Sequence, residues 1–184
     1  MSKQTVIVVF GLPGAGKTTL ITGFTEENNK YRRLSGGSLI NDDLPEEERD
    51  RLRKAGADDV LINQKTLVHN FKNKKKMLSG HHILFDGHCV VKSAEGLTEI
   101  PTDVIRGLDP DIILFIDEDS ETIIKRRLED KSRPNRDKET KAELDANREK
   151  QLLVCTQYSK ELGVPFKILK SPSLKDFENA IGGL

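Results

Sequence analysis

The chain has 184 residues, long enough for one full hydrophobic core, and is read as a single domain spanning 1–184. Thirty basic residues balance thirty acidic ones, so bulk charge gives no case for nucleic acid or an anionic membrane as partner. No apolar run approaches the roughly 20 residues that span a bilayer, and Met1 to Phe10 reads as a short strand rather than a secretory signal. A cytoplasmic protein without a membrane partner is therefore expected.

The first predicted strand, Thr5 to Phe10, runs into "GLPGAGKTT" and then into a predicted helix from Lys17 to about Glu27. Gly11 to Thr18 fits G-x-x-x-x-G-K-[ST] between a strand and a helix, the context this phosphate-binding motif requires. Gly11, Gly14 and Gly16 permit torsions closed to other residues, so successive N–H groups of this loop can converge on phosphate oxygens at the positive end of the helix. Pro13, Ala15 and Thr19 belong to the same cradle. Lys17 is expected to reach the β- and γ-phosphates and Thr18 to offer its hydroxyl to a phosphate-bound Mg2+. A nucleoside triphosphate and Mg2+ are thus the expected ligands of this loop.

A weaker strand is predicted at Tyr31–Ser35, then a polar stretch from Ser35 to Ala57 and helical spacing from Glu46 to Met77 in two pieces. The basic run "NFKNKKKML", residues 70 to 78, sits near the C-terminus of that helix, where lysines complement the dipole; it is read as a solvated face and not as a nucleic-acid contact. The strand His82–Asp86 ends in "ILFDGH", placing Asp86 where a strand-end carboxylate can hold Mg2+ through water. Of the four histidines, only His88 falls near this place, and the four lack metal-ligand spacing on one element. Cys89 and Cys155 cannot build a disulfide framework or a four-ligand zinc site and are read as packed residues.

Further strands are predicted at Ile112–Asp117 and Phe166–Leu169, with helices at Asp119–Glu129, Thr140–Leu162 and Leu174–Ile181. Strands alternating with helices imply an α/β fold, a parallel sheet with helices on both faces, and ligands collecting at the carboxyl ends of the strands. The polar segment "EDKSRPNRDKET", Glu129 to Thr140, is expected to be an excursion over that edge. It follows Arg126 and Arg127 and carries Arg133 and Arg136, with Arg148 further on. Phosphoryl transfer depends on positioned cations, which this group can supply. On a continuous helix Arg136 and Arg148 would point about 120° apart, so their convergence needs Arg136 in the loop.

Taken together, "GLPGAGKTT", "LFDGH" followed by Lys92, "LDPDIILFIDED", Arg126-Arg127 and "RPNRD" resemble the adenylate kinases, most closely the archaeal type, over nearly the whole chain. The resemblance implies a three-layer P-loop NTPase fold with a five-stranded parallel sheet, a nucleoside-monophosphate-binding insert at 35–57 and a short lid at 131–138. It implies Lys17, Arg127, Arg133 and Arg136 as catalytic residues. Gly11, Pro13, Gly14, Ala15, Gly16, Lys17, Thr18, Thr19 and Arg127 would hold ATP, with Ser171 and Pro172 of "KSPSL" beside its adenine. Ser38, Arg49, Arg53, Asp86, His88, Lys92 and Arg148 would serve the acceptor and the transferred group. Bacterial adenylate kinases usually carry an arginine shortly after the Asp-Gly of the third strand, whereas this sequence has His88 and Lys92 there. The lid lacks paired cysteines, so no structural zinc is expected.

The activity so implied is magnesium-dependent transfer of the γ-phosphoryl group of ATP to AMP or a related monophosphate, with ATP, ADP and a nucleoside monophosphate as partners and assembly into a homo-oligomer suggested by the archaeal type. Two other functions fit the donor half: a kinase for a small metabolite, and a nucleotide-gated regulatory ATPase with a protein or RNA partner. A GTPase switch is disfavoured because "NQKT", 63 to 66, has threonine where N-K-x-D needs aspartate.

Overall fold

A computed structural model describes residues 3–41, 56–94, 96–130 and 138–182. A five-stranded parallel sheet runs in the order β2-β3-β1-β6-β7, from β1 (Val6–Phe10), β2 (Tyr31–Ser35), β3 (His82–Asp86), β6 (Ile112–Asp117) and β7 (Phe166–Lys170). All five ranges match the predicted strands to within a residue, the weak one included. The central strands are β-branched and apolar on both faces, as burial under two helical layers requires: β1 and β6 are buried throughout. Register pairs Val9 with Asp86 and Ser35 with Asp86, which brings the ends of β1, β2 and β3 to one edge.

Helices α1 (Lys17–Glu27), α2 (Gly36–Asn41), α3 (Ala57–Met77), α4 (Thr102–Leu108), α5 (Ser120–Glu129), α6 (Lys141–Leu162) and α7 (Leu174–Ile181) complete the described chain. Two buried clusters lie on opposite faces of the sheet. One joins Val6, Val8, Phe10, Phe71, Ile83, Phe85, Ile113 and Tyr158; the other joins Ile7, Val9, Ile21, Phe24, Leu114, Ile116 and Phe177. Alternate residues of β1 therefore feed different layers, as the two-residue strand period dictates.

Three elements went unread in the sequence: α2, α4 and an antiparallel hairpin of β4 (Val90–Ser93) and β5 (Gly96–Glu99). All are short, six or seven residues for the helices and four for the strands, too few for a hydrophobic period to show. Gly36–Asn41 also opens with helix where a polar insert was expected from residue 35. Helix α3 begins at Ala57 and runs unbroken to Met77, one continuous helix over that range. Acids at Asp58 and Asp59 and lysines at 74 to 76 complement its dipole. Thr140 caps α6 in a reciprocal capping box with Glu143. Cys89 and Cys155 are packed as expected: both are fully buried, with Sγ atoms 3.7 Å apart. Their mutual hydrogen bond and burial push the Cys155 thiol up.

Candidate active site

The loop between β1 and α1 takes its shape from glycine. Gly11 has φ 144°, and a Cβ there would stand 2.5 Å from the Ile116 carbonyl oxygen. Gly16 caps α1 in the left-handed region and offers no side chain to the first helical N–H groups. Those amides and the positive end of the helix dipole are thus available to an anion. Lys17 is only 6% exposed. Its ammonium donates to the carbonyls of Gly11 (2.8 Å) and Leu12 (3.3 Å), which holds the charge within the loop it serves.

Asp86, 8% exposed, stands across from this loop. Its Oδ2 accepts from Thr18 Oγ1 at 2.8 Å and from Arg33 Nε and Nη2 at 3.1 and 2.8 Å. A buried carboxylate requires such partners. Thr18 and Asp86 together present two hard oxygen donors beside the phosphate loop, a set that suits a magnesium ion completing its shell with water and phosphate. Among the described residues no group of three or more His, Cys, Asp or Glu is placed to hold a metal ion.

Next to these residues opens a cavity of about 340 Å³, in the size range of small-ligand sites. Its lining is polar at Lys17, Thr18, Arg33, Asp86 and His88 and includes Pro13 and Gly14 of the loop. The lining also includes the apolar side chains of Ile40, Leu67, Phe85, Val104, Ile105 and Leu108, together with Gln64. Gln64 is 7% exposed. A Cβ on Gly87 would lie 2.3 Å from the Phe85 ring, so the strand end can pass this close to the wall only as glycine.

A second set of contacts grips the loop from the far side. Arg127, 9% exposed, donates from Nε and Nη2 to the Pro13 carbonyl at 3.0 and 2.7 Å and from Nη1 to Glu139 at 2.6 Å. Arg126 reaches the Ala15 carbonyl at 3.2 Å and Glu118 at 3.0 Å. The other oxygen of Glu118 accepts from Ser171 Oγ at 2.6 Å, and the Ser171 amide donates to the Asp117 carbonyl. Buried Glu118 thus ties α5 to the loop that follows β7, where Ser171 has φ 40°. Asp119 caps α5, and the hydrogen bonds from Thr122 hold its carboxyl below the usual range.

The expected site residues are thus partly convergent. Gly14, Pro13, Lys17, Thr18, Asp86 and His88 share one cavity wall. Arg127 lies against the loop's outer carbonyl. Thr19 and Ser38 are exposed, and neither they nor Lys92 of β4 stand on the cavity wall. Arg148 lies elsewhere: its guanidinium is bound to both oxygens of Asp117, which holds its pKa above the ordinary value. It lines a separate cavity of about 450 Å³ with Ser171, Asp145 and Lys141. Arg49, Arg53, Arg133 and Arg136 fall outside the described residues, as do 42–55 of the expected insert and 131–137 of the expected lid. Arg33, Gln64 and Glu118 were not singled out in the sequence. "YRRLS" contains two adjacent arginines, and only strand alternation, once β2 is accepted, says that one of them shares a face with Ser35.

Comparison with known proteins places the chain among nucleotide kinases. The model of a family described as "AAA domain" matches residues 10–145. The adenylate kinase of Methanococcus vannielii is 31% identical over 179 residues, 92% of this chain and 91% of that protein. That of Methanoculleus marisnigri is 33% identical, covering 90% of this chain and 88% of its own. Among solved structures, a sugar kinase from a Janibacter species superposes with a TM-score of 0.59 at 16% identity, over 98% of this chain and 94% of that one. A structure from Chloroflexus aurantiacus does so at the same score and identity, over 100% and 96%. At such identity these two show the shared fold alone.

Proposed function

The chain belongs to the adenylate kinase family and is an ATP-dependent phosphotransferase; from that premise we propose that it transfers the γ-phosphoryl group of ATP to AMP or a related nucleoside monophosphate. The observation that supports the acceptor half is the cavity lined by Lys17, Thr18 and Asp86, whose lining combines polar groups that suit phosphates with apolar side chains that suit a base. A sugar or other polyhydroxyl acceptor would leave its hydroxyls unpaired against Ile40, Leu67, Val104 and Leu108.

In this reading the loop amides and Lys17 hold the β- and γ-phosphates of ATP, and the adenine lies on the side of Arg126, Ser171 and Pro172. A phosphate oxygen of the acceptor attacks the γ-phosphorus in line, and the bond to the β-γ bridging oxygen breaks, with ADP leaving. No protein nucleophile is needed, because positioning and cations supply the rate. Thr18 and Asp86 would hold Mg2+, Asp86 through water; the ion neutralises charge on the phosphates when bound. Residues 35–57 are assigned to acceptor binding and 131–138, with Arg133 and Arg136, to a lid that excludes water.

The decisive experiment measures ADP formation from ATP and Mg2+ with AMP, GMP, CMP or UMP. We expect monophosphate-dependent ADP, lost on chelation of the metal. ATP hydrolysis at one rate with or without any acceptor would overturn the reading.

A further inference from the structure

Arg33 lies on β2, the edge strand, opposite Leu84, and two residues before Ser35, which pairs with Asp86. The strand period puts Arg33 and Ser35 on one face, so the arginine side chain can run forward along the sheet to the Asp86 carboxylate. It meets that group with one edge only: Nε and Nη2 both bond Oδ2, at 3.1 and 2.8 Å. Among the described residues Nη1 makes no hydrogen bond. The side chain is 32% exposed although its partner is 8% exposed, and Arg33 lines the cavity together with Ser35, Gly36 and Lys17. A guanidinium that served only as counter-ion to Asp86 would not need to line the cavity with a second edge unused.

We infer that Arg33 grips the phosphate of the acceptor nucleotide. The Nε edge stays on Asp86, which fixes the plane of the group, while the Nη1 and Nη2 edge presents parallel donors to phosphate oxygens entering the cavity. A planar fork matches such oxygens and a lysine ammonium does not. Asp86 would then orient two groups through one oxygen, Thr18 on the donor side and Arg33 on the acceptor side. The assignment rests on the kinase reading above and adds to it a residue from β2, ahead of the expected insert.

Calorimetric titration of the full chain with AMP and with adenosine, without ATP or metal, tests it on wild type, Arg33→Gln and Arg33→Lys. The lost charge-assisted hydrogen bonds are expected to weaken AMP binding about 10- to 100-fold in Arg33→Gln. Adenosine, which has no phosphate, should change less than about twofold. Arg33→Lys, which keeps the counter-charge to Asp86 and with it the fold, should recover part of the loss. In turnover, KM for AMP should rise while KM for ATP stays. Equal weakening of AMP and adenosine, or no weakening of either, overturns the role of Arg33 and leaves the kinase reading in place. Wild-type protein that binds AMP no better than adenosine would overturn both.

Discussion

Arg127 separates two roles that the sequence alone could not distinguish: contact with ATP, and support of the loop that holds ATP. In the structure its three hydrogen bonds go to the Pro13 carbonyl and to Glu139, and its stem lies 3.4 Å from where a Gly14 Cβ would be. Replacing it with methionine keeps most of the stem and removes the fork. Breaking a fully buried pair costs about 3–5 kcal/mol. Here the partners are 9% and 20% exposed, so water recovers part of that loss, leaving about 2–3 kcal/mol. For a chain of this length each kcal/mol moves the melting temperature by about 2–4 °C, so Arg127→Met should melt about 4–12 °C lower. Glu139→Gln should fall in the same direction, and the double variant should lose less than the sum, because the two share one interaction. In turnover the loosened loop should raise KM for ATP about 10-fold, with a smaller effect on kcat. A variant that melts within about 1 °C of wild type while kcat falls by more than about 100-fold would refute the bracing role and return Arg127 to the reacting phosphates.

Other outcomes follow from the same geometry. Lys17→Ala should lower kcat by more than about 100-fold with the circular-dichroism spectrum unchanged, since a positioned cation is lost and the loop keeps its glycine torsions. Gln64→Leu should raise KM for AMP about 10-fold and weaken discrimination among monophosphates, because its amide lines the cavity among apolar side chains and can pair with a base edge; unchanged selectivity in the four-nucleotide assay would place the base elsewhere. Acid should destabilise the helix starts. Thr122, Thr140 and Ser173 hold Asp119, Glu143 and Asp176 below their ordinary pKa values of 3.8, 4.5 and 3.8. A lowered folded pKa contributes stability above the unfolded value and loses it as pH falls through the folded one. Urea midpoints should therefore stay level down to about pH 5 and drop below about pH 4.5, and Asp119→Asn, which can still cap, should flatten part of that drop.

Much of this molecule was written in local pattern. Glycine spacing, a β-branched strand before it and a helix after it determined the phosphate loop, because torsional freedom and helix polarity act within about ten residues. Apolar runs located the central strands, the shorter "FKIL" and the weaker, arginine-bearing "YRRLS" marked the two edge strands, and "ILFDGH" placed Asp86 at a strand end. Which side chains meet across the sheet was decided only by tertiary structure. Arg33 reaches Asp86 because β2 pairs with β3, Glu118 reaches Ser171 because β6 pairs with β7, and Arg127 turns to the Pro13 carbonyl because α5 packs beside the loop after β1. Such contacts span from 53 to 114 residues of chain. A period of 2 or 3.6 says which way a side chain faces along its own element, and carries no information about which other element will stand opposite it.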